Sequence, residues 1–126
     1  MEKLILLDTS ILIELFRKKD KMDTVFFRLS SKNIRFAISA ITCYEIFVGE
    51  TKENVFWNSL LSSIDILYFD LQCANKAADV MKSLKRRNQI IDTPDLFIAA
   101  TALSHNLSIA TLNKKHFERI EGLDII

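Results

Sequence analysis

Glycine and proline are nearly missing from this chain, which has two of the first and one of the second among 126 residues. So small a supply of flexible and helix-breaking residues excludes a low-complexity linker, a collagen-like repeat and a disordered chain. Cysteine is as scarce. Cys43 and Cys73 lie far apart in two helix-like segments, without metal-ligand spacing or a disulfide framework, and are expected to be free core thiols in a reducing cytoplasm. No run reaches the roughly 18 uninterrupted apolar residues of a membrane span. The first apolar run, Leu4 to Leu7, follows a single lysine and stops at Asp8, which is not a secretory pattern. Neither charge is in excess: 17 basic against 16 acidic residues leave +1, so any pull on nucleic acid must come from local patches.

What is present is apolar material, 49% of the residues, enough for a full core. The expectation is one domain over 1–126 that hides roughly two-thirds of its unfolded surface. Its organising stretch is Leu4 to Phe16, LILLDTSILIELF. A short continuous apolar run suits a strand buried on both faces, Ser10 suits the N-cap of the helix that follows, and Ile11, Leu12 and Leu15 resume apolar spacing. Asp8 would then stand at the carboxyl edge of a central parallel strand, where open α/β sheets bind ligands.

The rest of the chain repeats the alternation. Strands are expected at Ile34 to Ile38, Ile64 to Phe69, Leu107 to Leu112 and Leu123 to Ile126. Helices are expected from Ile11 to Arg17, from Ala40 to Gly49 behind Ser39, from Thr51 to Ser63, and from Asp70 to about Asn88 with Ala74, Ala77, Ala78, Met81 and Leu84 inward. A further helix starts at Thr93 as cap and Pro94 and ends near His105, and a short one covers Lys114 to Ile120. Apolar strands alternating with helices predict a three-layer α/β/α fold around a parallel sheet of four to five strands.

Three acids are out of place for ordinary surface residues. Glu45 has Ile41, Thr42, Val48 and Gly49 as its helical neighbours, so it needs either a basic partner or a shared cation. Asp95 lies in the first turn of its helix, a capping position, yet stacks over Ile98, Ala99 and Ala102. Asp92 can sit at the same rim or in solvent. Thr111 and Asn113 follow the fourth strand, either as turn formers or on the carboxyl edge with Asp8.

Taken together, DTSILIELF, Glu45 within SAITCYEIFVGE, then DTPDLFIAATAL, LSIATLNKKHF and the closing GLDII resemble the PIN-domain ribonucleases, specifically the VapC-type toxins of toxin–antitoxin pairs. The resemblance covers essentially the whole chain. It implies a pocket for Mg²⁺ or Mn²⁺ formed by Asp8, Glu45 and Asp95, with Asp8 and Asp95 as principal ligands and Glu45 either a ligand through water or a general base. Ser10, Thr111, Asn113 and Asp92 would steady the ligands and waters. Where many members carry a fourth acid, this chain has Asn113 and then His116, so a second metal site is not implied. The activity implied is hydrolysis of RNA phosphodiesters. An anionic pocket repels RNA, so Lys114 and Lys115, and a second cluster of Lys82, Lys85, Arg86 and Arg87, are the candidates to meet its phosphates, the alternative for both being an ordinary solvated face. The partners implied are a small antitoxin, seated in an apolar groove lined by Phe56 and Trp57, and a second copy in a homodimer.

Two other readings compete. One is a PIN module that binds RNA or a partner without cutting. The other is a phosphoacceptor receiver domain in which Asp70 is phosphorylated and Asp8, Thr111 and Lys114 assist. Receivers need paired acids beside the first strand, and here the next acid after Asp8 is Glu14, inside the helix.

Overall fold

A computed structural model of the chain describes residues 2–31, 33–50 and 54–126. Four strands, β1 (Lys3–Leu7), β2 (Ile34–Ser39), β3 (Asp65–Leu67) and β4 (Ser108–Ala110), form one parallel sheet in the order β3-β2-β1-β4. In its register Ile5 lies against both Phe36 and Ser108, and Leu6 against Ala37 and Ile109. The strand that ends in Asp8 is therefore an inner one. A fifth strand at Leu123 to Ile126 shrinks to a single parallel bridge: Ile109 N–H donates to Asp124 O and Ile126 N–H to Ile109 O, both at 2.9 Å.

The pleat of β1 divides the core in two. Leu6 points to one face, where Ala77, Leu84, Ile98, Ala99 and Phe117 meet it; Ile5 and Leu7 point to the other, with Ile11, Leu12, Ile46 and Trp57. The first layer comes from α5 (Leu71–Arg86), α6 (Thr93–Ser104) and α7 (Lys114–Phe117). The second comes from α1 (Thr9–Arg17), α3 (Ala40–Gly49) and α4 (Val55–Leu61). This is the expected three-layer sandwich. A five-residue helix, α2 (Val25–Leu29), was not expected; Thr24 caps it by accepting the Phe27 N–H. Among the described residues no helix is long and apolar enough to cross a membrane.

Several helix starts differ from expectation by one or two residues. Asp8, not Ser10, occupies the N-cap of α1, and Asp92, not Thr93, that of α6. Ser39 and Asp70 cap α3 and α5 as expected, accepting the N–H groups of Ile41 and Cys73. The helix expected from Thr51 begins at Val55 behind Asn54, and residues 51–53 lie outside the described residues. On α5, Ala77 and Leu84 are buried and Met81 is half-buried, but Ala74 and Ala78 are exposed because Cys73 takes the inward position at that turn.

The shortage of glycine shows at the ends of α5 and α6. Asn88 and Asn106 take the left-handed conformation, φ 53° and 54°. Gln89 N–H donates to Leu84 O and Asn88 N–H to Lys85 O, and the same pair of bonds recurs from Leu107 to Ala102 and from Asn106 to Leu103. Asparagine thus closes both helices with a motif that glycine usually supplies.

Candidate functional site

The carboxyl ends of β1 and β4 are adjacent, and the Asp8 N–H donates to Ala110 O at 2.9 Å, so the loops leaving these strands share one edge. Asp8 is 2% exposed, yet it is not an unpartnered charge. Its Oδ2 accepts the hydroxyls of Ser10 (2.7 Å) and Thr111 (2.8 Å). Each hydroxyl in turn accepts a backbone N–H from the β4–α7 loop, Ser10 from Leu112 and Thr111 from Asn113, both at 3.0 Å. Because a hydroxyl that accepts an N–H has its own proton to give, both protons are directed at the carboxylate. Among the described residues Oδ1 receives no hydrogen bond. Ser10 thus sits inside α1 as the support for Asp8 that the resemblance implies, and not at the N-cap.

Glu45 is half-buried, and the Thr9 hydroxyl donates to its Oε1 at 2.7 Å while lying 3.0 Å from Thr42 Oγ1. Among the described residues no lysine or arginine lies within salt-bridge distance of Glu45, Asp8 or Asp95. The apolar face inferred for Glu45 is only partly real, since Val48 is 72% exposed. What turns the Glu45 carboxylate inward is Thr9. Asp95, in the first turn of α6, has a half-buried side chain whose only side-chain partner among the described residues is His116, with Nδ1 3.4 Å from Oδ2. Burial first, and then the negative charges of Asp8 and Glu45, push the Asp95 carboxyl above the ordinary carboxylate range, against the pull of His116.

The three acids share a cleft of about 450 Å³, whose walls also include Ser10, Glu14, Arg17 and Asn113. A second cleft of about 550 Å³ adjoins it across Leu112 and Asn113 and carries Lys114, Lys115 and His116. The PIN-domain family profile matches residues 5–123. The chain belongs to the PIN-domain family. Ribonuclease VapC1 of Methanocaldococcus jannaschii is 38% identical over 128 residues, 98% of this chain and 88% of that protein. The tRNA(fMet)-specific endonuclease VapC of Shigella flexneri is 32% identical over 124 residues, 94% and 92% of the two chains. The fold is similar to DNA-bound VapBC from Salmonella typhimurium, with a TM-score of 0.85 and 29% identity over 100% of this chain and 98% of that one. It is likewise similar to VapBC2 of Rickettsia felis bound to a promoter fragment, at 0.84 and 26% over 98% and 97%.

The donors of this PIN domain can be tested against a divalent cation. Three carboxylates face one cleft, Arg17 on its wall is not within salt-bridge distance of any of them among the described residues, and the side-chain donors beside them include the hydroxyl and amide oxygens of Ser10 and Asn113, which suits a hard ion. Among the described residues no three Asp, Glu, His or Cys side chains form a ready-made cage. Oxygen donors of this kind suit a hard divalent ion that keeps several of its own waters.

Not every expected residue belongs here. Asp92 is exposed at its capping position and does not line the cleft. Trp57 cannot line a partner groove, because its ring is fully buried. Phe56 and Trp57 pack edge to face at 5.1 Å, and both lie against Phe16, at 5.2 and 5.0 Å. Asp70 accepts the Cys73 N–H at 3.0 Å behind an edge strand and is absent from the acidic cleft, which removes the receiver reading's phosphoacceptor from Asp8. Arg87 ties α5 to the C-terminal segment through Arg119 O and Glu121, a structural task. Sequence reasoning missed Thr9, Glu14 and Arg17. Ser10, Ile13, Glu14 and Arg17 recur at three- and four-residue steps, which was signal enough for a second face of α1. Glu14 uses its Oε1 to accept the Val25 N–H at 2.7 Å, whereas Arg17 is exposed.

Proposed function

We propose that this protein is a divalent-cation-dependent endoribonuclease, the toxin of a toxin–antitoxin pair. The observation that carries the reading is the convergence of Asp8, Glu45 and Asp95, from three separate elements, on one cleft at the carboxyl edge of the sheet. Kinship with VapC ribonucleases supports RNA as the substrate, and likeness to VapBC complexes supports a cognate antitoxin that holds the toxin inactive.

Mg²⁺ or Mn²⁺, when bound, supplies a water of lowered pKa and positive charge for the scissile phosphate. Asp8 and Asp95 would hold the ion, and Glu45 is placed to orient a water or take its proton. Thr111 and Ser10 keep the Asp8 carboxylate fixed, as hydrogen-bonded supports of metal ligands do. Thr9 does the same for Glu45. Arg17 on one wall and Lys114 and Lys115 beyond Asn113 offset the repulsion between RNA and the carboxylates. Phe56, half-buried beside the exposed Val55, marks the apolar edge where the antitoxin docks.

The test is cleavage of single-stranded RNA with Mn²⁺ and with EDTA. Asp8→Asn and Asp95→Asn should keep the native circular dichroism spectrum and lose about a thousandfold in rate, several kcal/mol of transition-state stabilisation. A PIN module that binds without cutting would leave both variants indistinguishable from wild type.

A further inference from the structure

We propose that the second cleft is a nucleotide subsite, which takes one unstacked base of single-stranded RNA next to the scissile phosphate. This rests on the ribonuclease reading and adds where the neighbouring nucleotide goes. Leu112 and Asn113 belong to both clefts, so a chain leaving the acidic one passes directly into the second. The two clefts have opposite chemistry. The first holds Asp8, Glu45 and Asp95; the second has no acidic side chain among its described walls, and its charged side chains are Lys114 and Lys115, beside His116 and over an aliphatic floor of Val25, Leu112 and Ile126.

That combination suits a nucleotide better than a phosphate or an apolar peptide alone. An aliphatic floor accepts the face of a base that has left its stack, and cations on the rim meet the phosphates on either side. The Asn113 amide, at the shared wall, offers both a donor and an acceptor to a base edge. Lys114 and Lys115 are exposed and make no ion pair with the described residues, so their charge is available to an incoming polyanion. A volume of about 550 Å³ lies within the range of small-ligand pockets.

The experiment uses short single-stranded oligoribonucleotides with one abasic residue at each position flanking the cleaved bond, and two blocking variants, Val25→Trp and Ile126→Trp. The two variants reach the floor from separate segments, so each serves alone if the other does not fold. Wild-type protein should lose about tenfold in kcat/KM for an abasic residue at one flanking position, and less elsewhere. A blocked variant should lose a similar factor on intact RNA and nothing more on that abasic RNA. Dissociation constants for the same RNAs in EDTA should show the same pattern. Equal abasic effects in wild type and variants would overturn the subsite. Unchanged RNA binding with weakened antitoxin inhibition would overturn it too, and assign the cleft to the protein partner. Absence of any cleavage by wild type would count against the ribonuclease reading, while binding in EDTA would still decide the subsite.

Discussion

Asp8 and Asp95 face one cleft, but they are held in opposite ways. Asp8 is buried and receives two hydroxyl protons on a single oxygen, each hydroxyl itself fixed by a backbone N–H. Asp95 has burial and like charges around it and one 3.4 Å contact to His116. One carboxylate is held by fixed hydroxyl donors, and the other is an anion the fold disfavours until positive charge arrives. The difference teaches that a nuclease cleft can be rigid on one side and electrostatically unsatisfied on the other. The rigid side sets geometry, and the unsatisfied side drives cation uptake.

The largest break of this contrast removes the rigidity. Thr111→Val with Ser10→Ala strips Asp8 of both hydroxyls, and RNase activity should fall by about 10- to 100-fold through weaker cation affinity, read from a Mn²⁺ titration of the cleavage rate. Thr111→Val alone should do most of this, because Thr111 is buried and leaves the Asn113 N–H without an acceptor.

The unsatisfied side is sharpened by pH. Above the ordinary carboxylate pKa and up to the raised pKa of Asp95, the folded protein holds more protons than the unfolded chain. Stability therefore falls as pH rises through that interval, and the ionised Asp95 remains a burden at neutral pH. Without divalent cation, Asp95→Asn should melt above wild type at pH 7, and the gap should close as pH drops below the ordinary carboxylate value. Saturating Mn²⁺ should reverse the order, since an ion at a hundred times its dissociation constant stabilises wild type by about 2.7 kcal/mol. A wild type whose melting temperature ignores Mn²⁺ would deny the cleft its ion.

Smallest in effect are the outer cations. Arg17→Gln, or Lys114→Gln with Lys115→Gln, should raise KM several-fold with kcat nearly unchanged. The slope of log affinity against log salt should shrink by about one for each phosphate that is no longer neutralised.

Most of this frame could be read from residues alone, for identifiable reasons. Parallel strands covered by helices on both faces read as apolar runs, so β1, β2 and β4 announced themselves, and Ser39 and Asp70 marked helix starts. Asp8, Glu45 and Asp95 stood out as acids among apolar neighbours, and the cleft joins all three. Less visible were features that depend on tertiary contact. The α2 helix has five residues, too few to show a period. Phe56 and Trp57 project about 100° apart on α4, yet Phe16 from α1 fills the angle between them, so one cluster takes both rings. The last strand has apolar residues enough, but only Ile125 reaches bridge geometry.

The bridge at Ile109 has a mechanical consequence. Ile126 is hydrogen-bonded to Ile109 and forms part of the floor of the second cleft, so the segment that pairs with β4 also shapes that cleft. A substitution that loosens this pairing would shift a wall of the cleft together with the edge of the sheet.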